Sequence, residues 1–179
     1  VDPGGAVVWT KYLSDITGDS SGGWGINDIA VEGNELYVCG TRLANRAFVA
    51  KLTDTGTSLV CDDYTHIEGL TGTGVTNAWA TARSIAISTV NGARQVVVGG
   101  EIQGASMQVL EKVKTTTPSA RFTSMVLRSQ YNTSEKSDGW VMTFDSGLRG
   151  TYGTTWGYHH SNDGITAVTA DNTGKLYIA

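Results

Sequence analysis

No apolar run in this chain approaches the roughly 20 residues that a helix needs to cross a bilayer. Stretches such as Phe48-Val49-Ala50 and Val96-Val97-Val98 end within a few positions, so a helical membrane span is excluded. Basic residues are sparse too. The 13 Lys and Arg are scattered singly among 17 Asp and Glu, for a net charge of -4. No basic stripe is present to neutralise a phosphate backbone, and nucleic acid is not an expected partner. Cys39 and Cys61 are the two thiols, and neither has a close-spaced partner; this argues against zinc, iron–sulfur and dithiol redox chemistry. No cofactor or metal is expected. The chain also lacks an initiator Met and a signal-peptide pattern. Val1-Asp2-Pro3-Gly4-Gly5 reads as the turn between two strands, so further sequence before it is the expectation.

What is present points to short strands and tight turns. Hydrophobic residues make up 40% of the 179, enough for a core in the size range of one domain. Charged residues are only 17%, Pro only 2, and Gly reaches 23, the balance that many tight turns between strands produce. Two units recur. In the first, a pair of strands is joined by a Gly/Asn turn: Asp28-Ile29-Ala30-Val31 with Leu36-Tyr37-Val38-Cys39-Gly40, Ser84-Ile85-Ala86-Ile87 with Val96-Val97-Val98-Gly99-Gly100, and Ala167-Val168-Thr169-Ala170 with Leu176-Tyr177-Ile178-Ala179. The flanks are β-branched and aromatic, and the turns need the positive φ that Gly and Asn tolerate.

The second unit is a strand, an Asp-x-Gly turn and a strand: Phe48 to Leu52, Asp54-Thr55-Gly56, Ser58 to Tyr64, and again Trp140 to Phe144, Asp145-Ser146-Gly147, Tyr152 to Tyr158. Its second half recurs at the amino terminus as Asp2-Pro3-Gly4 followed by Val7 to Tyr12. With these strands named A, B, C and D, the order is D, ABCD, ABCD, AB. About 60 residues separate Tyr37 from Val97 and about 80 separate Val97 from Tyr177.

The expected fold class is therefore all-β, built of β-propeller blades, each a four-stranded antiparallel sheet, incomplete at both ends. A β-sandwich is the alternative, but it does not require the A-turn-B text to return. The expected organisation is a single partial propeller over 1–179. Residues 1–26 end one blade, 27–80 form the first full blade with its connection, 81–162 form the second with an insertion at 103–137, and 163–179 start a third. Within that insertion, Met107 to Val113 and Phe122 to Leu127 read as a hairpin. Val109 to Val113 could itself be strand C, but Asp138-Gly139-Trp140-Val141 with its Asp-x-Gly turn is the better copy. A closed wheel needs about four to eight blades, so completion by further residues of a longer polypeptide, or by another chain, is expected.

The text from Asp138 through Gly147, Asp163 to Val168 and Asp171 to Ala179, together with Ala47-Phe48-Val49-Ala50-Lys51-Leu52, resembles the SBBP-type β-propeller repeat of bacterial proteins. The resemblance covers the strands of about two thirds of the chain, while the long connections depart from the compact spacing of that family. It implies a propeller fold, a secreted or cell-surface setting and a scaffold role without one shared activity.

Candidate chemistry is thin. His159, His160 and Asp163 could hold a metal if another ligand approached, or they form a polar connection into the next strand A. No HExxH, Gly-x-Ser-x-Gly or close Cys–His text is present. Asp62 and Asp63 point to opposite faces if they lie on a strand, which is no acid/base dyad. The Asp-x-Gly turns compare loosely with the Asp-box of sialidase-like propellers; turn chemistry, with Asp bonding its own backbone and Gly left-handed, is the simpler account. Cys39 in strand B and Cys61 in strand D would lie about two strand spacings apart, roughly 9.6 Å, beyond the ~7 Å reach of a disulfide. Two buried thiols are expected.

Trp24 and Trp79 stand out, each in a long connection before a strand A (residues 13–26 and 65–80), where one rim would also carry the insertion at 103–137. They serve either protein or glycan recognition or packing between blades. Asn132-Thr133-Ser134 is a possible glycan acceptor in a glycosylating host. The expected function is a structural or binding module that presents propeller loops to a protein or glycan. One alternative is part of a propeller enzyme, a glycoside hydrolase or quinoprotein-like oxidoreductase, with Asn27, Asp28, Arg83 and Asp163 near its channel. Another is a self-assembling subunit that pairs through open strand edges.

Overall fold

The computed structural model describes residues 4–5, 10–17, 23–43, 45–72, 76–111, 119–126, 136–157, 161–171 and 173–179. Its strands are β1 (Trp24–Glu32), β2 (Glu35–Arg42), β3 (Arg46–Asp54), β4 (Leu59–Leu70), β5 (Trp79–Val90), β6 (Ala93–Gln103), β7 (Ser106–Glu111), β8 (Ser119–Val126), β9 (Asp138–Asp145), β10 (Gly150–Trp156), β11 (Val168–Ala170) and β12 (Leu176–Ile178). Among the described residues the one helix is a single turn, α1 (Leu13–Thr17). The fold is all-β and every strand pairing is antiparallel.

Sheet I runs β1-β2-β3-β4-β7-β8, sheet II runs β5-β6-β9-β10, and sheet III is the hairpin β11-β12. The turns are those the Gly and Asn residues foretold: Gly33 at φ +64°, and Asn91 and Gly92 at +51° and +76°. After β6 the chain leaves sheet II, lays β7 and β8 along the outer edge of β4 in sheet I, and returns as β9 beside β6. Strand β9, not β7, is thus the third strand of sheet II.

The sheets stack in sequence with a separate core at each junction. Valines 96, 97 and 98 are consecutive and wholly buried, because β6 has both of its faces covered. Val96 and Val98 join Tyr37, Cys39 and Val49 of sheet I in one core, together with Trp140, Met142 and Phe144 of β9. Val97 turns the other way, into a second core with Val141, Ile165 and Val168. Each such side chain contributes about 1.5–3 kcal/mol through loss of apolar surface from water. A third cluster, Val38, Phe48, Ala50, Leu52, Cys61 and Tyr64 with Leu13 of α1, occupies the opposite face of sheet I.

Sheets I and II share one irregularity. The register slips between Ile26 and Asp28 in β1 and between Ala82 and Ser84 in β5, leaving Asn27 and Arg83 as extra residues in matching places. Opposite each slip stands a glycine, Gly40 or Gly100. A Cβ at Gly40 would overlap the carbonyl oxygen of Gly25, and one at Gly100 would overlap that of Thr81. The bulge brings backbone against backbone, which only a residue without a side chain permits.

Three expectations need correction. Residues 65–70 read as connection but continue β4: Thr65 to Ile67 still pair with β3, and the inserted β7 supplies a partner from His66 to Leu70 (His66↔Leu110 to Leu70↔Ser106). Trp24 and Trp79 are the first residues of β1 and β5 rather than loop residues, because both strands run on past their bulges and pair Trp24 with Arg42 and Trp79 with Gln103. In the strand expected from Val7 to Tyr12, Val7 to Trp9 fall outside the described residues, and Thr10 to Tyr12 are not strand but lead into α1.

Candidate functional site

Trp24 is half-buried at the start of β1 and packs edge-on against Phe48 of β3 (ring centroids 4.7 Å apart) and Tyr64 of β4 (5.6 Å). The Arg42 guanidinium lies over its ring at 5.2 Å, a cation–π contact, and reaches His66 Nε2 at 3.4 Å. Alternation along each strand places these groups on one face of sheet I. Beside Trp24 opens a cleft of about 430 Å³, walled by Lys11, Tyr12, Leu13 and Ser14 together with Gly23 and Ile26. Tyr12 is 73% exposed and Ile26 54%, so aromatic and aliphatic surface lines the cleft alongside Lys11 and Ser14.

Trp79 occupies the matching place in sheet II but a different setting. Its indole Nε1 donates to Gln103 Oε1 (3.1 Å), whose own Nε2 donates to the Asn77 carbonyl (2.8 Å). Of the polar groups expected near a channel, Asn27 and Asp28 bond across to sheet II, whereas Arg83 and Asp163 bond within their own surroundings. Asn27 Nδ2 donates to the Ala82 carbonyl at 2.6 Å. Asp28 Oδ2 accepts from Ser84 Oγ and from the Ile85 amide, each at 2.9 Å. Arg83 pairs with Glu101 at 2.6 Å, and Asp163 Oδ2 accepts from Ser161 Oγ at 3.0 Å. His159, His160 and Asn132 to Ser134 lie outside the described residues.

The remaining candidates are placed by their strands. His66 is buried and meets Trp24 and Tyr64, whereas Cys61 lies five residues back on β4, about 16 Å along the strand. They form no nucleophile–base pair. Asp62 is exposed and accepts from Thr53 Oγ1 (2.8 Å), while Asp63 is buried; the register slips here (Lys51↔Asp63, Leu52↔Cys61), so Asp62 is a bulge residue and the regular alternation expected of the pair does not hold. In the Asp-x-Gly turns, Asp54 accepts from the Gly56 amide (2.7 Å) and Gly56 sits at φ +82°. Asp145 accepts from the Gly147 amide (2.9 Å), but the left-handed residue there is Leu148, at +57°. Its side chain is drawn into the core, and that burial offsets the backbone strain.

Cys39 and Cys61 are buried thiols with no disulfide between them. Burial, with the Asp28 carboxylate adding to it, pushes the Cys39 thiol up to about 12. Burial and the nearby Glu32 charge do the same for the Tyr37 hydroxyl, also to about 12. Both groups keep their protons in the folded protein through a range in which the unfolded chain loses them. The folded state therefore binds more protons above about pH 9, and its stability falls as pH rises from there towards 12, by up to ~1.4 kcal/mol per pH unit for each group. Urea midpoints measured between about pH 8 and pH 11 are expected to decline accordingly. Iodoacetamide at about pH 8 should leave Cys39 unmodified until the protein unfolds.

Sequence reasoning singled out Trp24 but not its companions, which come from three other strands. It gave no signal for a second cleft, lined by residues of β1 and β5 and by the end of β11. No family model matches this chain, and no curated protein matches it.

Proposed function

We propose that sheets I, II and III are consecutive blades of a β-propeller, and that the chain is a recognition module of a secreted or cell-surface protein. In this reading the cleft beside Trp24 takes a glycan. Three observations support the propeller. Sheets I and II each begin with four strands in meander order, both carry a bulge at the same place opposite a glycine, and β6 is buried on both faces. A two-layer sandwich has no middle sheet. The resemblance to the SBBP-type repeat rests on the quoted strands and turns, and from it come the scaffold role and the extracellular setting.

The observation that carries the binding reading is the exposed Tyr12 ring beside half-buried Trp24 in a cleft that also offers Lys11 and Ser14. Aromatic surface flanked by hydrogen-bonding groups suits the apolar face and hydroxyl rim of a sugar. Binding is favoured over catalysis because Asn27, Asp28 and Arg83 are bonded between or within sheets.

A glycan array probed with the labelled chain tests this, with Tyr12→Ala as the variant that spares the core. Tyr12→Ala is expected to bind about tenfold or more weakly, and Trp24→Phe to bind weakly as well, while Trp79→Phe matches the parent. Equal binding by Tyr12→Ala, or capture only of a protein ligand that ignores Tyr12, would sink the glycan reading.

A further inference from the structure

Sheet III covers only part of the face of sheet II that it packs on. Strand β11 lies against β5 and β6, and Val168 and Leu176 seat on Val97 and Val141. The outer part of that face, on β10, is left bare by the described residues. Tyr152, Thr154 and Trp156 alternate along β10 opposite Thr143, Val141 and Gly139, so all three point to the side that carries Val141. Tyr152 is 59% exposed and Trp156 44%. Ile178 pairs with Val168 and shares its face, yet it is 42% exposed. These three side chains flank an uncovered strip that continues the core between sheets II and III.

The backbone beside that strip is open as well. Ala167 and Ala179 exchange both of their hydrogen bonds, at 3.2 and 3.0 Å. In an antiparallel ladder such pairs alternate with pairs whose N–H and C=O groups point outward, so Leu176 and Ile178 turn theirs away from β11. No described strand pairs with that edge of β12. A strand added there would lie about 4.8 Å from β12, over β9 and β10. Sheet I shows the finished arrangement: β3 pairs with β2 on the edge away from β1, and its Ala47 and Val49 are wholly buried against sheet II. The fold also takes a strand from a distant segment, since β7 adds to the edge of β4.

We propose that β12 is an acceptor edge for an extended segment of a partner polypeptide, apolar at every second position, which pairs antiparallel with Leu176 to Ile178 and covers Tyr152 and Trp156. Main-chain bonds hold the segment, and the two rings select its side chains. A second copy of the chain is a poor donor. Pairing β12 with its own copy antiparallel, about a twofold axis normal to the sheet, would put both copies of sheet II on one side of the joined sheet, each in the space of the other. The strip lies on the face of sheet II turned away from sheet I and the Trp24 cleft, so this proposal and the glycan reading can fail separately.

The probe is a labelled peptide with the sequence of β3, Arg46 to Asp54, titrated into the full chain by fluorescence anisotropy, with the same residues in scrambled order for comparison. The β3 peptide is expected to bind and the scrambled one not, and bound peptide should slow hydrogen exchange at the Leu176 and Ile178 amides. Ile178→Pro removes an outward N–H and leaves the bonds to β11 in place; Trp156→Ser keeps the edge intact and carries the test should Ile178→Pro misfold. Each is expected to weaken binding about tenfold or more, while Val60→Ser, an exposed change on sheet I, binds as the parent does. Absence of binding, parental binding by both variants, or binding that leaves the two amides unprotected would overturn the proposal. So would a parent dimer abolished by Ile178→Pro, which gives the edge to a second copy, or slow exchange of both amides before peptide is added, which gives it to the polypeptide itself.

Discussion

A methyl group placed at Gly100 is expected to cost at least ~3 kcal/mol, at the upper end of what overpacking does. Gly100 pairs with Ala82 at the β5 bulge, and the new Cβ would overlap the Thr81 carbonyl oxygen and come within 2.9 Å of the Trp140 ring. Neither obstacle can swing aside: one is backbone in a paired strand, and the other is a wholly buried indole between two sheets. Relief requires β5 and β6 to separate where both contribute to the core. Gly40→Ala in sheet I meets the carbonyl of Gly25 in the same way and should lose a similar amount. Gly33→Ala is the control, since Gly33 sits at φ +64° with nothing within 4 Å of a built Cβ and should lose only the ~1–2 kcal/mol of a left-handed alanine. Urea unfolding that ranked Gly33→Ala equal to Gly100→Ala would show that the bulge is not tightly packed.

Those two glycines also mark how much of the fold was legible. Hairpins β1–β2 and β5–β6 were readable because their turns carry Asn and Gly and their flanks are β-branched, which are local properties. The bulges were not. A bulge depends on which residues face each other across two strands, and its trace in the sequence is a glycine on the partner strand, indistinguishable there from a turn glycine. The extension of β4 through Leu70 was hidden for a related reason. Glu68 to Leu70 are strand because Ser106 to Gln108 pair with them, a long-range contact with no local signature.

The candidate site divides the same way. Trp24 was visible as an aromatic residue near a strand start, but the Phe48, Tyr64 and Arg42 that pack around it are on β3, β4 and β2. Asp28 was noted for its position near a channel; the structure makes it a bond between sheets.

That role gives Asp28→Ala an expected loss of about 3 kcal/mol, the scale of two hydrogen bonds to a half-buried carboxylate. Asp28 Oδ2 receives Ser84 Oγ and the Ile85 amide of sheet II at 2.9 Å, and Oδ1 receives the Ile29 amide at 2.8 Å. Ser84 Oγ in turn accepts the Val168 amide of sheet III at 3.2 Å. One side chain therefore orients a hydroxyl that holds the next sheet. Asp28→Asn, which keeps an acceptor but loses the charge, should lose about half as much. Ser84→Ala combined with Asp28→Ala should lose less than the sum of the two single changes, with a coupling of about 1 kcal/mol. The distinctive consequence is remote: hydrogen exchange at the Val168 amide should speed up in Asp28→Ala although Val168 does not touch Asp28. If only the Ile85 amide lost protection, the three first strands would be joined pair by pair, and Asp28 would act on sheet II alone.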